Sequence, residues 1–157
     1  MALINKLREM GAEVSIFENS LTVKATKPLK AIEAKTLPYP GFATDMQAQL
    51  MAALCLAEGS STITETIFEN RFMHVSELAR MGANITIHDR SAVIHGVKSL
   101  KGAPVSATDL RAGAAMVLAG LVAQGTTEIN QVFHIDRGYE DLVGRIRELG
   151  ANIRREE

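Results

Sequence analysis

Two long stretches of this chain are copies of one another. Gly59 and Gly125 stand at matching positions of the two copies, and a third echo, REMGAEV, lies near the N-terminus. The motifs that recur in the same order are ATDM (43–46) and ATDL (107–110), AEGSSTI (57–63) and AQGTTEI (123–129), and RMGANI (80–85) and ELGANI (148–153). Because one repeat cannot bury its apolar face alone, it stacks on its copies. The chain is therefore predicted to hold an incomplete repeat at 1–36 and two further repeats at 37–100 and 101–157.

Composition and charge exclude several classes of function. The 157 residues include 17 Lys and Arg against 18 Asp and Glu, and 46% of them are hydrophobic, which predicts one globular domain with its own core. The small net charge and the aromatic fraction of 4% argue against a nucleic-acid-binding surface, which needs clustered basic residues and stacking rings. The sequence shows neither a signal peptide nor a long apolar run. We therefore expect no membrane insertion and a location in the cytoplasm.

Two segments are predicted to be buried helices. The segment 45–58 and its counterpart 109–124 consist mostly of strong helix formers and are apolar on nearly all sides. They are too short to span a membrane, so this pattern indicates burial within protein. The helix predicted at 139–150 is different, because its apolar residues recur at i, i+4 and i+7 on one side only. That helix is predicted to lie at the surface.

The strands show a different pattern of burial. Alternating apolar and polar residues predict strands at 60–65, 84–88, 91–95 and 126–131, and a further hairpin over 13–25. Sheets with one solvated face, combined with wholly apolar helices, suggest that the helices lie inside and the sheets outside. This arrangement inverts the usual order of layers. The predicted fold class is α/β (α+β), an inside-out α/β repeat domain.

Polar residues stand at the predicted starts of both buried helices. These are Thr44 and Asp45 in one copy, and Thr108 and Asp109 in the other. Simple helix capping is one interpretation, because free backbone N–H groups and the positive end of the helix dipole favour an anionic group there. The alternative is that a carboxylate anchored beside buried structure holds or deprotonates a substrate hydroxyl. The agreement between the two copies does not distinguish these interpretations, because a structural cap would be repeated too.

Three arginines are candidates for anion binding. Arg71 and Arg137 occupy the same position of the repeat, and Arg111 lies in the first turn of the second predicted helix. The planar guanidinium matches carboxylate or phosphate groups, so arginines converging from equivalent loops would form an anion pocket. The alternative is that they form surface ion pairs with the acidic residues Glu69, Asp136 and Glu140.

The remaining reactive residue types give weaker signals. The four histidines show no metal-ligand spacing and have no cysteine partners, so no metal site is predicted. Cys55 lies in the apolar run ALCLAE and is interpreted as a small buried residue rather than a nucleophile.

Four segments are distinctive enough to be compared with a known family. They are YPGFATDMQAQ (39–49), TETIFENRFMHVSELARMGA (64–83), ATDLRAGAAMVLAGLVAQGTT (107–127) and HIDRGYEDL (134–142). These segments resemble the UDP-N-acetylglucosamine 1-carboxyvinyltransferases, the enolpyruvyl transferases of the first committed step of bacterial peptidoglycan synthesis. The resemblance covers essentially the whole chain but only the C-terminal part of that enzyme. It implies the inside-out repeat fold of the enolpyruvyl transferase type, with the active site in a cleft between two similar domains.

The resemblance also implies a reaction and a set of roles. The family transfers the enolpyruvyl group of phosphoenolpyruvate to the 3-hydroxyl of UDP-N-acetylglucosamine and releases phosphate, without a metal or an organic cofactor. The implied catalytic residues are Asp45, which would hold the 3-hydroxyl and act as general base, and Arg137, which would pair with phosphoenolpyruvate. Ile67 would contact the nucleotide sugar through its backbone. The other residues expected to bind substrate are Thr44, Arg71, Asp109 and Arg111.

Part of the family's machinery has no counterpart in this chain. A Lys-Asn pair, further arginines and a loop with a reactive cysteine belong to the N-terminal catalytic half, and Cys55 does not match that loop. We therefore expect the polypeptide alone to be inactive, because half of a cleft cannot exclude water or position two substrates. Apolar surface left uncovered is expected to favour a homo-oligomer. The alternatives are a noncatalytic nucleotide-sugar-binding or regulatory module, and a fragment of the shikimate-pathway enolpyruvyl transferase.

Overall fold

The computed structural model describes residues 1–156, and in this part of the chain helices and strands alternate. The helices are α1 (Ala2–Glu9), α2 (Gln47–Leu54), α3 (His74–Arg80), α4 (Leu110–Val122), α5 (Phe133–Asp136) and α6 (Leu142–Glu148). The strands are β1 (Glu13–Ile16), β2 (Leu21–Lys24), β3 (Glu33–Lys35), β4 (Ser60–Thr64), β5 (Asn84–His88), β6 (Ser91–His95), β7 (Pro104–Ser106) and β8 (Glu128–Asn130). A short 3₁₀ turn, Thr44–Met46, precedes α2.

The repeats of the sequence are repeats of one structural unit. In the middle unit, β3 pairs in parallel with β4 across α2, and β6 and β5 extend the sheet in the order β3-β4-β6-β5. In the last unit, β7 pairs in parallel with β8 across α4 in the same way. The first unit contributes α1 and the antiparallel hairpin β1–β2. The predicted inside-out repeat fold is therefore confirmed.

Most of the predicted strands are confirmed. β5 and β6 have the predicted bounds, and β4, β8 and the β1–β2 hairpin fall within the predicted ranges. Apolar–polar alternation does not predict β3 and β7, because each strand has three residues and too few positions to show the pattern. β3, which pairs with β4, lies before residue 37, the predicted start of the middle repeat.

Helix α2 is the centre of the core. Seven of its eight residues are buried, and it packs against α4 and against the inner faces of β4 and β6. Leu50, Met51 and Leu54 are at most 3% exposed, and full burial of such side chains contributes roughly 1.5–3 kcal/mol each. By contrast, β5 at the sheet edge has no fully buried residue. The helices therefore lie inside and the sheets outside, as their apolar patterns predicted.

The helix at 45–58 is shorter than predicted. α2 ends at Leu54 because the chain beyond it takes part in backbone pairing with an earlier segment. The N–H of Glu58 donates to the carbonyl of Leu29, and the N–H of Ala31 donates to the carbonyl of Glu58. Cys55, directly after α2, is fully buried, and burial raises the pKa of its thiol to about 12. The predicted burial of Cys55 is confirmed.

Helix α4 is only partly buried. Its N-terminal half is enclosed, but Leu118, Leu121 and Val122 are 41%, 41% and 54% exposed. The prediction that α4 is covered on all sides is therefore wrong for its last turns within residues 1–156. The surface helix α6 has no buried residue, as predicted. None of the described helices is long and apolar enough to cross a membrane.

Candidate functional site

The turn before α2 presents Asp45 to solvent. Neither Thr44 nor Asp45 caps the helix through its side chain. The hydroxyl of Thr44 instead donates to Oε2 of Glu65 at 2.8 Å, which fixes the turn from beneath. The side chain of Asp45 is 64% exposed. The capping interpretation is therefore wrong at this copy of the motif, because the carboxylate of Asp45 pairs with other side chains rather than with the first turn of α2.

Two arginines converge on the Asp45 carboxylate. Arg111 donates its Nε–H to Oδ1 of Asp45 at 2.6 Å, and Nη1 of Arg71 lies 3.6 Å from the same oxygen. Arg71 is held in place because its guanidinium lies 3.9 Å from the centroid of the Phe68 ring. We call Asp45, Arg71 and Arg111 the Asp45 cluster. Its side chains come from both repeats, because Arg111 belongs to α4.

Asp109, the counterpart of Asp45, has a different role. Its Oδ1 accepts hydrogen bonds from the backbone N–H groups of Arg111 at 2.8 Å and Ala112 at 3.0 Å. Asp109 is thus the N-cap of α4, as the capping interpretation predicted for this copy. By orienting the first turn of α4, it directs Arg111 towards Asp45.

Glu65 is a buried carboxylate directly beneath the Asp45 cluster. It is 1% exposed, and its hydrogen bonds reach several neighbouring elements. The donors to Oε1 are Thr36 Oγ1 at 2.8 Å, Ile67 N at 2.9 Å and Phe68 N at 3.2 Å, and the donors to Oε2 are Thr44 Oγ1 at 2.8 Å and Gln47 Nε2 at 3.4 Å. Burial raises the pKa of Glu65, but these hydrogen bonds outweigh it and the pKa lies below its ordinary value.

The sequence did not single out Glu65, although it contains a usable signal. Ser61 and Ile63 of β4 are buried, and period-two alternation continues to the same face at position 65. An acidic residue at a buried position requires several hydrogen-bond donors. The alternation therefore predicts a polar site beneath the end of β4.

The other predicted residues lie at different distances from the cluster. Ile67 is close, because it shares the loop of Phe68 and Arg71, and its N–H is bonded to Glu65 while its side chain is 36% exposed. Arg137 is exposed at the end of α5. No hydrogen bond or ion pair links Arg137 to the Asp45 cluster among residues 1–156.

The nearby surface carboxylates do not pair with Arg71 or Arg137. Glu69 pairs with Arg90, Asp136 with Arg155 and Glu140 with Arg145. A bidentate hydrogen bond from Arg155 lowers the pKa of Asp136. The surface-pair interpretation is therefore wrong for Arg71, whose partner is Asp45.

Two depressions adjoin the cluster and share Arg71. The first is a crevice of about 10 Å³, which holds one water molecule at most. It is lined by Thr44, Gln47, Ala48, Arg71, His74, Asp109, Arg111 and Ala112. The second is an open depression of about 510 Å³ beside Phe68, Arg71 and Arg90. The crevice is thus too small for any ligand larger than water, whereas the open depression has room for one.

His74 lines the crevice, and its burial was not predicted from the sequence. It is 3% exposed, and its Nε2 lies 3.2 Å from Sδ of Met51. Burial lowers the pKa of His74 to about 4, and the nearby Asp109 carboxylate opposes this shift only in part. His74 is therefore neutral in the folded protein at neutral pH.

The buried His74 predicts that the chain loses stability in mild acid. Between pH 6.5 and about 4 the unfolded chain binds a proton at His74 that the folded chain does not bind, so the free energy of unfolding falls as the pH falls. We expect a loss of roughly 1.5 kcal/mol between pH 6.5 and 5, because the slope approaches its limit of about 1.4 kcal/mol per pH unit only once the unfolded chain is mostly protonated at His74. Urea denaturation at several pH values measures this loss. His74→Gln should remove most of the slope, whereas His88→Gln, at an exposed strand position, should keep it. An unchanged slope in His74→Gln contradicts the prediction.

The described residues contain no group of three or more His, Cys, Asp or Glu side chains placed to share a metal ion. The functional groups of the Asp45 cluster are one exposed carboxylate and two guanidinium groups. Such a cluster binds anions and hydroxyl groups and can accept a proton.

Comparison with known proteins identifies similar sequences and folds. The family described as EPSP synthase (3-phosphoshikimate 1-carboxyvinyltransferase) matches residues 1–146. The chain is 60% identical to UDP-N-acetylglucosamine 1-carboxyvinyltransferase 1 of Caldanaerobacter subterraneus subsp. tengcongensis over 98% of the chain and 37% of that relative. It therefore spans a little over a third of the length of the relatives that it matches.

Solved structures give the same result for the fold. The enolpyruvyl transferase NikO from Streptomyces tendae is 33% identical, with a TM-score of 0.90 over 98% of this chain and 36% of that one. The EPSP synthase of Acinetobacter baumannii is 20% identical, with a TM-score of 0.73 over 99% of this chain and 36% of that one. At that identity the likeness to the Acinetobacter protein concerns the fold alone.

Proposed function

This chain belongs to the EPSP synthase family of carboxyvinyl transferases, and from that premise we propose that it forms one wall of the active-site cleft of a UDP-N-acetylglucosamine 1-carboxyvinyltransferase. The complete enzyme would transfer the enolpyruvyl group of phosphoenolpyruvate to the 3-hydroxyl of the nucleotide sugar. The identity of 60% to the Caldanaerobacter relative supports this substrate. The structural likeness to an EPSP synthase at 20% identity gives less support to shikimate chemistry.

The Asp45 cluster is the observation that carries the proposal. An exposed carboxylate between two arginines, beside an open depression, can hold a sugar hydroxyl and accept its proton while the guanidinium groups attract phosphate or carboxylate groups. In this proposal Asp45 is the general base, and Arg71 and Arg111 orient it and face the anionic substrates. Asp109 supports Arg111, and Thr44 supports Asp45.

Two further residues have proposed roles at the rim of the cleft. Ile67 would contact the nucleotide sugar through its backbone carbonyl, since its N–H is already bonded to Glu65. Arg137 would pair with phosphoenolpyruvate, and its exposure at the end of α5 leaves the guanidinium accessible. No metal or organic cofactor enters this proposal.

The rest of the enzyme would supply the opposite wall of the cleft. We place this activity in the synthesis of peptidoglycan in the bacterial cytoplasm, and therefore in cell-wall formation and division. The exposed apolar end of α4 would be covered in the complete enzyme, and in the separate chain it would favour a homo-oligomer. A noncatalytic binding module is less well supported, because the chain retains Asp45, Arg71 and Arg137, to which the family resemblance assigns catalysis and substrate binding.

A chimaeric enzyme tests the proposal. In this chimaera the present chain replaces the matching segment of the Caldanaerobacter relative. We expect the chimaera to release phosphate from phosphoenolpyruvate in the presence of UDP-N-acetylglucosamine at a rate within about tenfold of the parent enzyme. The isolated chain should release none above background, because it holds only one wall of the cleft. A folded chimaera without turnover contradicts the proposed function, and turnover by the isolated chain contradicts the need for a second wall.

A further inference from the structure

Glu65 connects the elements that carry the proposed substrate-binding groups. Its Oε2 accepts from Thr44, next to Asp45, and its Oε1 accepts from the N–H groups of Ile67 and Phe68. We propose that Glu65 is a positioning residue, which fixes the Asp45 turn relative to the 66–71 loop without touching substrate itself. This inference rests on the proposed function of the Asp45 cluster.

The hydrogen bonds around Glu65 form one connected network. The hydroxyl of Thr44 donates to Glu65 and accepts from Nη1 of Arg71 at 3.4 Å. Gln47, in the first turn of α2, donates its Nε2–H both towards Glu65 and to the backbone carbonyl of Arg71 at 3.3 Å. Displacement of Glu65 would therefore move the Asp45 turn and the Arg71 loop together.

The second repeat provides an internal comparison. Thr108 corresponds to Thr44, and Gln131 corresponds to Glu65 in the aligned motifs. Gln131 is exposed, and the buried hydroxyl of Thr108 has no hydrogen-bond partner among residues 1–156. The repeat thus folds without a carboxylate at this position. Glu65 is present only in the copy whose aspartate faces solvent, so its network serves the Asp45 site rather than the repeat fold.

Loss of the Glu65 network should affect one substrate more than the other. Asp45 and Ile67 are the residues proposed to contact the nucleotide sugar, and both depend on Glu65. Arg137, proposed to pair with phosphoenolpyruvate, makes no contact with Glu65 in the described structure. A variant at Glu65 should therefore impair use of UDP-N-acetylglucosamine and leave the affinity for phosphoenolpyruvate nearly unchanged.

Three variants of the chimaera test this inference. Glu65→Gln keeps the shape of the side chain but places an amide NH₂ against the donors Thr44 and Gln47. Thr44→Val removes the hydroxyl that donates to Glu65, and so breaks the same hydrogen bond. Both should lower kcat/KM for UDP-N-acetylglucosamine at least tenfold, with KM for phosphoenolpyruvate changed less than threefold. The matched control Thr108→Val removes the unpartnered hydroxyl of the other copy, and kcat/KM should stay within twofold.

A double-variant cycle distinguishes positioning from a general loss of stability. Because Glu65 holds the Asp45 turn mainly through its hydrogen bond with Thr44, at 2.8 Å, the double variant should be no more than threefold worse than the poorer single variant. Multiplicative losses, or an equal rise in KM for both substrates, overturn the inference while the proposed function stands. The same cycle measured by urea denaturation of this chain should show coupling of at least fivefold in the unfolding equilibrium constant. If the unmodified chimaera is inactive, the proposed function is wrong. The urea experiment still tests the inference in that case, because absence of coupling between Glu65 and Thr44 in this chain would overturn it.

Discussion

Asp45→Asn in the chimaera is expected to reduce kcat about a thousandfold, within the range that a general base contributes. Asparagine keeps the size of the side chain and can still bond to Arg111, but it cannot accept the proton of the sugar hydroxyl. The ion pairs with Arg111 at 2.6 Å and Arg71 at 3.6 Å are also lost, so the two guanidinium groups are less well oriented. The measurement is phosphate release at saturating concentrations of both substrates.

The control for this prediction uses the same chemical change elsewhere. Asp141 caps α6 by accepting from the N–H of Gly144, and asparagine is an equally good cap. Asp141→Asn should therefore keep kcat within twofold. If Asp45→Asn retains more than a tenth of the activity, Asp45 is a structural ion-pair partner and the proposed role as general base is wrong.

Gly96→Ala is expected to destabilise the isolated chain by about 3 kcal/mol or more, because it forces backbone apart in a packed region. A Cβ atom at Gly96 would lie 1.7 Å from the carbonyl oxygen of Ala57. The backbone cannot relax easily, since Gly96 N–H donates to Gly59 and the N–H of Val97 donates to Cys55. The close approach of Ala57 and Gly96 holds the end of α2 against the end of β6, where the inner helix packs on the outer sheet.

A second glycine separates crowding from backbone strain. Gly11 has a φ of +93°, but a Cβ there would meet nothing within 4 Å. Gly11→Ala should therefore cost only the strain of the left-handed region, about 1–2 kcal/mol. Urea denaturation of both variants gives the comparison. Equal losses of stability in the two variants would contradict the close approach of Ala57 and Gly96.

Patterning predicted the layers of the fold because burial leaves a periodic trace in the sequence. The alternation in β5 and β6 and the apolar character of α2 and the first part of α4 were sufficient to place helices inside and sheets outside. The exposure of Leu118 and Leu121 could not be predicted in this way. An apolar side chain does not show by itself whether another part of the protein packs against it.

The difference between Asp45 and Asp109 could not be predicted from their motifs. Both follow an Ala-Thr pair, and both precede an apolar helix. Their different roles depend on tertiary contacts. In the first copy Thr44 is hydrogen-bonded to Glu65, whereas in the second copy Asp109 caps α4. The meeting of Asp45 with Arg111 depends on the packing of α2 against α4, which brings the two repeats together. Local sequence therefore placed both aspartates before their helices, and the packing of the two repeats determined their different contacts.

A crystal structure of the chimaera with bound UDP-N-acetylglucosamine would show directly whether Asp45 contacts the sugar. We expect the carboxylate of Asp45 to lie within hydrogen-bond distance, about 2.5–3.2 Å, of the 3-oxygen of the sugar, with the backbone of Ile67 also in contact. The Glu65 network should be intact beneath them. A nucleotide sugar bound elsewhere, with Asp45 paired only to Arg111 and open to solvent, would contradict the proposed role of Asp45.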